Sequence, residues 1–186
     1  MQRSEILNDL AAVFRWTAKL NMHEGIANHF SVCLPDSNNF YVNGTGMHFS
    51  TIKASDLVLV EQNKIEEIKK NPSLVDPTAI NIHGAIHKKV PHARCILHVH
   101  SKYATALSTL KNPTLPPIDQ NTMRFYNRVA VFDDFGGLGV EEESERQNGN
   151  DQAGNGPNGR FDGIGVRPVR QILGNAIAAP VAPAKQ

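Results

Sequence analysis

The segment Arg94-Cys95-Ile96-Leu97-His98-Val99-His100 closes an apolar run on two histidines spaced by two. In an extended chain the side chains at i and i+2 leave the same face, with Cα atoms roughly 6.5 Å apart. Two imidazoles so placed can converge on one metal ion. The plainer alternative is a pair of polar residues ending a strand in water. All eight histidines (His23, His29, His48, His83, His87, His92, His98 and His100) lie at or before His100, so imidazole donors are concentrated in one part of the chain. His83 and His87 form an i, i+4 pair, the spacing of a metalloprotease helix, but Gly84 stands where such a helix carries glutamate. This pair is expected on a helix surface or in helix–sheet packing. His92 follows Pro91 in a tight connection and is expected in solvent.

Two further segments carry weaker signals. The glycines of Asn43-Gly44-Thr45-Gly46 can turn backbone N–H groups toward an anion and admit it closely, although a plain turn explains the same residues. Asn28, within Gly25-Ile26-Ala27-Asn28-His29-Phe30-Ser31, can cap, turn, or offer its amide to a ligand. Glu141, Glu142, Glu143 and Glu145 read as a solvated acidic surface.

The elements that must position these residues follow from periodicity. Ile6, Leu7, Leu10, Val13, Phe14 and Leu20 form the apolar stripe of a helix from Ser4 to Leu20, with Ser4 as N-cap. Phe30, Val32 and Leu34 alternate with His29, Ser31 and Cys33, the pattern of a half-buried strand. The turn signal Pro35-Asp36-Ser37-Asn38-Asn39 joins it to Phe40–Val42 as a hairpin. Short strands are expected over 56–61 and 128–132, a helix over 78–90, a strand over 94–100 and a helix from the Ser101 cap to Leu110. The sum is an α/β domain.

Composition narrows the classes. The 186 residues are 40% hydrophobic and 20% charged, enough for one folded core. Lys+Arg number 19 against Asp+Glu 18, a balance with no basic stripe, so nucleic acid is not an expected partner. No apolar run approaches membrane-spanning length, and Met1-Gln2-Arg3-Ser4-Glu5 leads into an amphipathic helix, so a cytoplasmic protein is expected. Cys33 and Cys95 read as free buried thiols or as a single disulfide. From Asn148 the text becomes rich in Asn and Gly and ends in an Ala/Pro stretch. Residues 1–146 are therefore expected as one domain and 147–186 as a low-complexity tail, disordered or non-native, with room for a short helix around Val169 to Ala178.

The ordered segments resemble the class II aldolase/adducin family, especially its adducin-like branch. The resemblance is carried by Glu24-Gly25-Ile26-Ala27-Asn28-His29-Phe30-Ser31, by Asn43-Gly44-Thr45-Gly46-Met47-His48-Phe49-Ser50 and by Ala54-Ser55-Asp56-Leu57. It continues through Ile82-His83-Gly84-Ala85-Ile86-His87, Pro91-His92-Ala93-Arg94-Cys95, His98-Val99-His100-Ser101 and Phe125-Tyr126-Asn127-Arg128-Val129-Ala130.

The resemblance implies a three-layer α/β/α domain on a mainly antiparallel sheet, assembled as a homo-oligomer, commonly a tetramer. It implies a zinc-dependent lyase, epimerase or dehydratase acting on a small sugar, a sugar phosphate or a related carbonyl compound. His98 and His100 take the places of the first two zinc ligands, and Asn28 with Gly44, Thr45 and Gly46 those of the substrate or phosphate pocket. Two departures stand against activity. The family's catalytic glutamate lies four residues before the helix histidine matched by His83, and that position is Ala79. The family's third histidine lies downstream, where this chain has none, and the family pattern ends near Gln147, as a frame shift or a divergent tail would produce. An incomplete sheet with an open edge is therefore expected. A non-catalytic adducin-like domain for binding or assembly is the alternative to the enzyme.

Overall fold

The structure, a computed structural model, describes residues 2–35, 37–126, 128–131, 164–166 and 175–179. Helix α1 spans Arg3–Lys19 and buries Ile6, Leu10, Ala11 and Phe14. These apolar positions recur every three to four residues and so share one side of the helix. It begins before the expected Ser4 cap: Gln2 is the N-cap residue, and the Glu5 carboxylate accepts the Gln2 backbone N–H at 2.7 Å. That reach-back contact satisfies a donor the helix would leave bare.

Strands β1 (His29–Cys33) and β2 (Phe40–Asn43) form the expected antiparallel hairpin. Strand β3 (Leu57–Val60) extends it on one side. A short helix α2 (Ile65–Lys69) leads to α3, Pro77–Lys89. The start of α3 is set by Asp76, whose side chain accepts the Thr78 N–H at 2.8 Å, and by Pro77 in the first turn. Pro91 disfavours helical backbone at Val90, and the chain turns into β4, Cys95–Val99. Helix α4 spans Lys102–Ser108, α5 spans Gln120–Met123, and β5 spans Val129–Val131.

Two more strands, β6 (Ile164–Val166) and β7 (Asn175–Ala179), complete a sheet of order β3-β2-β1-β4-β7-β6-β5. Only β5 and β6 run parallel among the described pairs. Of the helix allowed for Val169 to Ala178, residues 175–178 lie in the extended backbone of β7 and 169–174 lie outside the described residues. The pairing of β7 with β4 closes the edge expected to be open. The expected boundary at 146/147 and the rest of the tail lie outside the described residues.

Strand β1 is buried along its whole length rather than on one side. Phe30 and Val32 pack with α1, together with Tyr41, Phe49, Ile52, Leu57 and Val99. Cys33 faces α3 with Phe40, Val42, Val60, Val75, Ala79 and Ile80. Helices on opposite faces produce three layers and explain why alternation of residue type did not mean alternation of exposure. Cys33 and Cys95 are free thiols. Cys95 is paired in register with Val32, so the two sulfurs leave opposite faces of the sheet. No helix among the described residues is long and apolar enough to cross a membrane.

Candidate metal centre and its histidine network

His98 sits on the α3 face of β4, directly across the ladder from His29 on β1. The two imidazoles stack, with centroids 4.3 Å apart and planes inclined by 14°. His100 follows the end of β4, and its Nε2 lies 3.2 Å from Nε2 of His98. Both rings are buried, His98 at 3% exposure and His100 at 8%. Zinc–nitrogen bonds of about 2.0–2.1 Å at tetrahedral angles would hold two nitrogens roughly 3.3 Å apart. The His98–His100 separation therefore fits two corners of a zinc site. Among the described residues no group of three or more His, Cys, Asp or Glu side chains is arranged to hold a metal.

Asn28 orders this corner. It is 1% exposed, and its Oδ1 accepts the backbone N–H of His100 at 2.8 Å, while its Nδ2 donates to the Glu24 carbonyl. Its amide is thus engaged by the protein at both ends. Asn43, which sequence reasoning left within the turn, links Asn28 to the glycine segment. Asn43 Nδ2 donates to the Asn28 carbonyl at 3.2 Å and to that of Gly44 at 3.4 Å, and its Oδ1 accepts the Phe30 N–H at 3.1 Å.

Continuing the β1–β2 register by two residues sets Gly44 opposite His29, so Gly44, His29 and His98 lie in a row across three strands. The φ of +72° at Gly46 is a left-handed conformation that a side chain would strain. Thr45 is tied to the loop before α3: its N–H donates to the Leu74 carbonyl at 3.2 Å and its hydroxyl to the Pro72 carbonyl at 2.8 Å.

The largest surprise is on α3. His83 and His87 are fully buried at 0% and 1% exposure, so the helix-surface alternative gives way to helix–sheet packing. That packing is polar. His29 Nδ1 and His83 Nε2 lie 2.8 Å apart, and Ser31 Oγ lies 2.5 Å from His83 Nδ1 and 2.7 Å from His87 Nε2. His87 Nδ1 donates to the Ala93 carbonyl at 2.9 Å. The signal for His29 and Ser31 was present in the alternation of β1, but only the docking of α3 brings them to His83 and His87.

Burial sets the charge state of the network. Desolvation holds His29 down at about 4, against the pull of the Asp76 carboxylate and with a push from His100. It takes His83 well below the usual histidine range, helped by His29, His87 and His98, and holds His87 at about 4 despite the Ala93 hydrogen bond. His100 is lowered by burial too, opposed by the Glu24 carboxylate. Buried imidazoles that stay neutral keep lone pairs for hydrogen bonds or metals.

His92 is exposed, as expected. Ala79 is 1% exposed and lies within the apolar cluster of Cys33, Phe40, Val42 and Val75. A second imidazole pair, His23 and His48, brings its Nε2 atoms within 3.1 Å on the surface, with His23 stacked on Phe49.

Residues 8–153 match the model of the family described as Class II Aldolase and Adducin N-terminal domain. The chain is 33% identical over 147 residues to the Meiotically up-regulated gene 14 protein of Schizosaccharomyces pombe, covering 78% of this chain and 56% of that one. It is 31% identical over 139 residues to the Decarboxylase NovR of Streptomyces niveus, covering 74% and 51%. Its fold matches L-fuculose 1-phosphate aldolase from Glaciozyma antarctica with a TM-score of 0.71 and 26% identity, covering 94% of this chain and 64% of the other. The chain spans about half the length of these curated relatives. With a family model matching most of its length, on the fold of a solved aldolase, the chain belongs to the class II aldolase and adducin family.

Proposed function

We propose that His98 and His100 are the protein ligands of a divalent-metal site in a lyase or isomerase of the aldolase type. The substrate class is a small sugar, its phosphate, or another hydroxycarbonyl compound. The observation that carries this reading is the approach of the two Nε2 atoms to 3.2 Å between buried rings. Relatives named as a decarboxylase and an aldolase support chemistry at carbon–carbon bonds.

Zinc held there would supply a Lewis acid for the substrate carbonyl and for the negative charge that develops on it. The chain's own residues prepare the site. Asn28 holds the backbone of His100, and through it the second donor. Burial lowers the pKa of His100, against the Glu24 carboxylate, and so favours the neutral imidazole that a metal needs. Asn43 ties Asn28 to the turn of Gly44, Thr45 and Gly46, which would form the substrate or phosphate side of the pocket. The family match supports a homo-oligomeric assembly as part of this reading.

The packing of Ala79 favours a second reading, an adducin-like domain that binds or assembles without catalysis. An alanine inside an apolar cluster can neither ligate a metal nor move a proton. Metal analysis after dialysis against zinc separates the two. Stoichiometric zinc, lost in His98→Ala and retained in His23→Ala, supports the first reading. A wild-type protein that retains no zinc overturns it in favour of the second.

A further inference from the structure

We propose that His87, Ser31 and His83 are positioning residues that lock His29 in one tautomer, with the proton on Nδ1 and a lone pair on Nε2, beside the ring of His98. The proposal rests on the order of the hydrogen bonds. The chain of contacts runs from the Ala93 carbonyl through His87, Ser31 and His83 to His29. Its four side chains are all nearly inaccessible, with His29 the most exposed at 3%. Burial opposes an imidazolium at each of these rings, at His29 against the pull of the Asp76 carboxylate, so each ring carries one proton.

With that constraint the assignment is unique. The Ala93 carbonyl only accepts, so the proton of His87 is on Nδ1. His87 Nε2 then accepts, and the Ser31 hydroxyl, 2.7 Å away, must donate to it. A hydroxyl has one proton, so toward His83 Nδ1, at 2.5 Å, Ser31 Oγ accepts. His83 therefore carries its proton on Nδ1 and accepts at Nε2. The donor at 2.8 Å is His29 Nδ1, which leaves His29 Nε2 with its lone pair.

No step in this chain is adjustable, because a backbone carbonyl at one end cannot change its role. If the metal-site reading is correct, His29 holds that lone pair fixed on the strand next to the first metal ligand, whose ring it stacks on.

The test is a long-range proton–nitrogen correlation spectrum of the imidazoles in the full chain, labelled with nitrogen-15 and stripped of metal. His29, His83 and His87 should each show a protonated Nδ1 and a bare Nε2. Ser31→Ala removes the hydroxyl that sets the order, and His83 and His29 should lose their single tautomer and show a mixture. Ser31→Thr keeps the hydroxyl and should restore the wild-type pattern. A wild-type spectrum with His29 protonated at Nε2 overturns the assignment, even where the variants fold poorly. An unchanged His29 tautomer in folded Ser31→Ala overturns the role of the network. Neither readout needs metal or turnover, so the absence of zinc binding would end the metal-site reading and leave the tautomer lock standing.

Discussion

The two faces of the sheet are built on different physics, although the same strands supply both. On the α1 face Phe14 stacks on Phe30 at 4.8 Å and meets Phe49 edge-on at 4.6 Å, with aliphatic residues around them. On the α3 face, at the end nearer His98, β1 presents His29 and Ser31 to His83 and His87. The first face is held by the area it removes from water, which is indifferent to the order of its atoms. The second is held by hydrogen bonds whose donors and acceptors must alternate correctly. An aromatic cluster can tolerate a similar shape, whereas a chain of neutral imidazoles fails as soon as one partner is lost. The difference explains how one face can serve as scaffold while the other carries the candidate chemistry.

Replacing residues on each face should break this contrast in different ways. Phe14→Ala should have the largest effect, a loss of about 3–5 kcal/mol in urea unfolding, since it empties the centre of the aromatic cluster. A loss below about 1 kcal/mol would mean that α1 repacks and the face is not a scaffold. Ser31→Ala should cost less, about 1–3 kcal/mol, by stranding one donor and one acceptor in a buried site. Measuring both variants in the same denaturant series ranks the two faces directly.

Acid should act on the histidine face. The unfolded chain takes up protons at His29 and His87 near the ordinary 6.5, whereas the folded chain refuses them until about 4. Stability should therefore be complete above 6.5, fall as the pH drops through that window, and level off below about 4. Unfolding midpoints at about pH 7.5 and about pH 5 measure this, and equal midpoints would show that the imidazoles are not held neutral by burial. Trp16→Ser should have the smallest effect, within about 0.5 kcal/mol. Its ring is 60% exposed on the outer side of the helix whose inner side holds Phe14. A larger loss, seen by the same urea titration, would place the outer side of α1 in a contact of its own.

The two imidazole pairs sharpen the same lesson. His23–His48 and His98–His100 have nearly equal Nε2 separations, 3.1 Å and 3.2 Å. Of the two only the second is buried, and there Asn28 holds the backbone N–H of His100. Convergence of nitrogens is therefore not enough, and the surroundings that exclude water and fix the donors distinguish the candidate site.

Much of this was legible in the residues. The H-x-H spacing on an apolar run placed His98 and His100 together, because a strand has a period of two wherever it occurs. The stripe on α1, the hairpin of β1 and β2 and the helix after Asp76 followed from local patterning and capping. The start of α1 was displaced because the reach of Glu5 back to Gln2 outweighs the preference of serine for a cap. The β7 strand was not legible, since Asn175–Ala179 has no strand pattern of its own and takes its extended form in the pairing with β4.

The sequence by itself determined the family, the α/β class and the pair of candidate ligands, because each rests on residue type and short-range spacing. Only the tertiary structure decided what surrounds that pair. His29 and His83 are 54 residues apart in the chain, and no local rule connects them. Their contact exists because β1 pairs with β4 while α3 packs across the same face. Burial there removes the water that would otherwise satisfy each imidazole, so the order of hydrogen bonds, and with it the tautomer of His29, is a property of the fold.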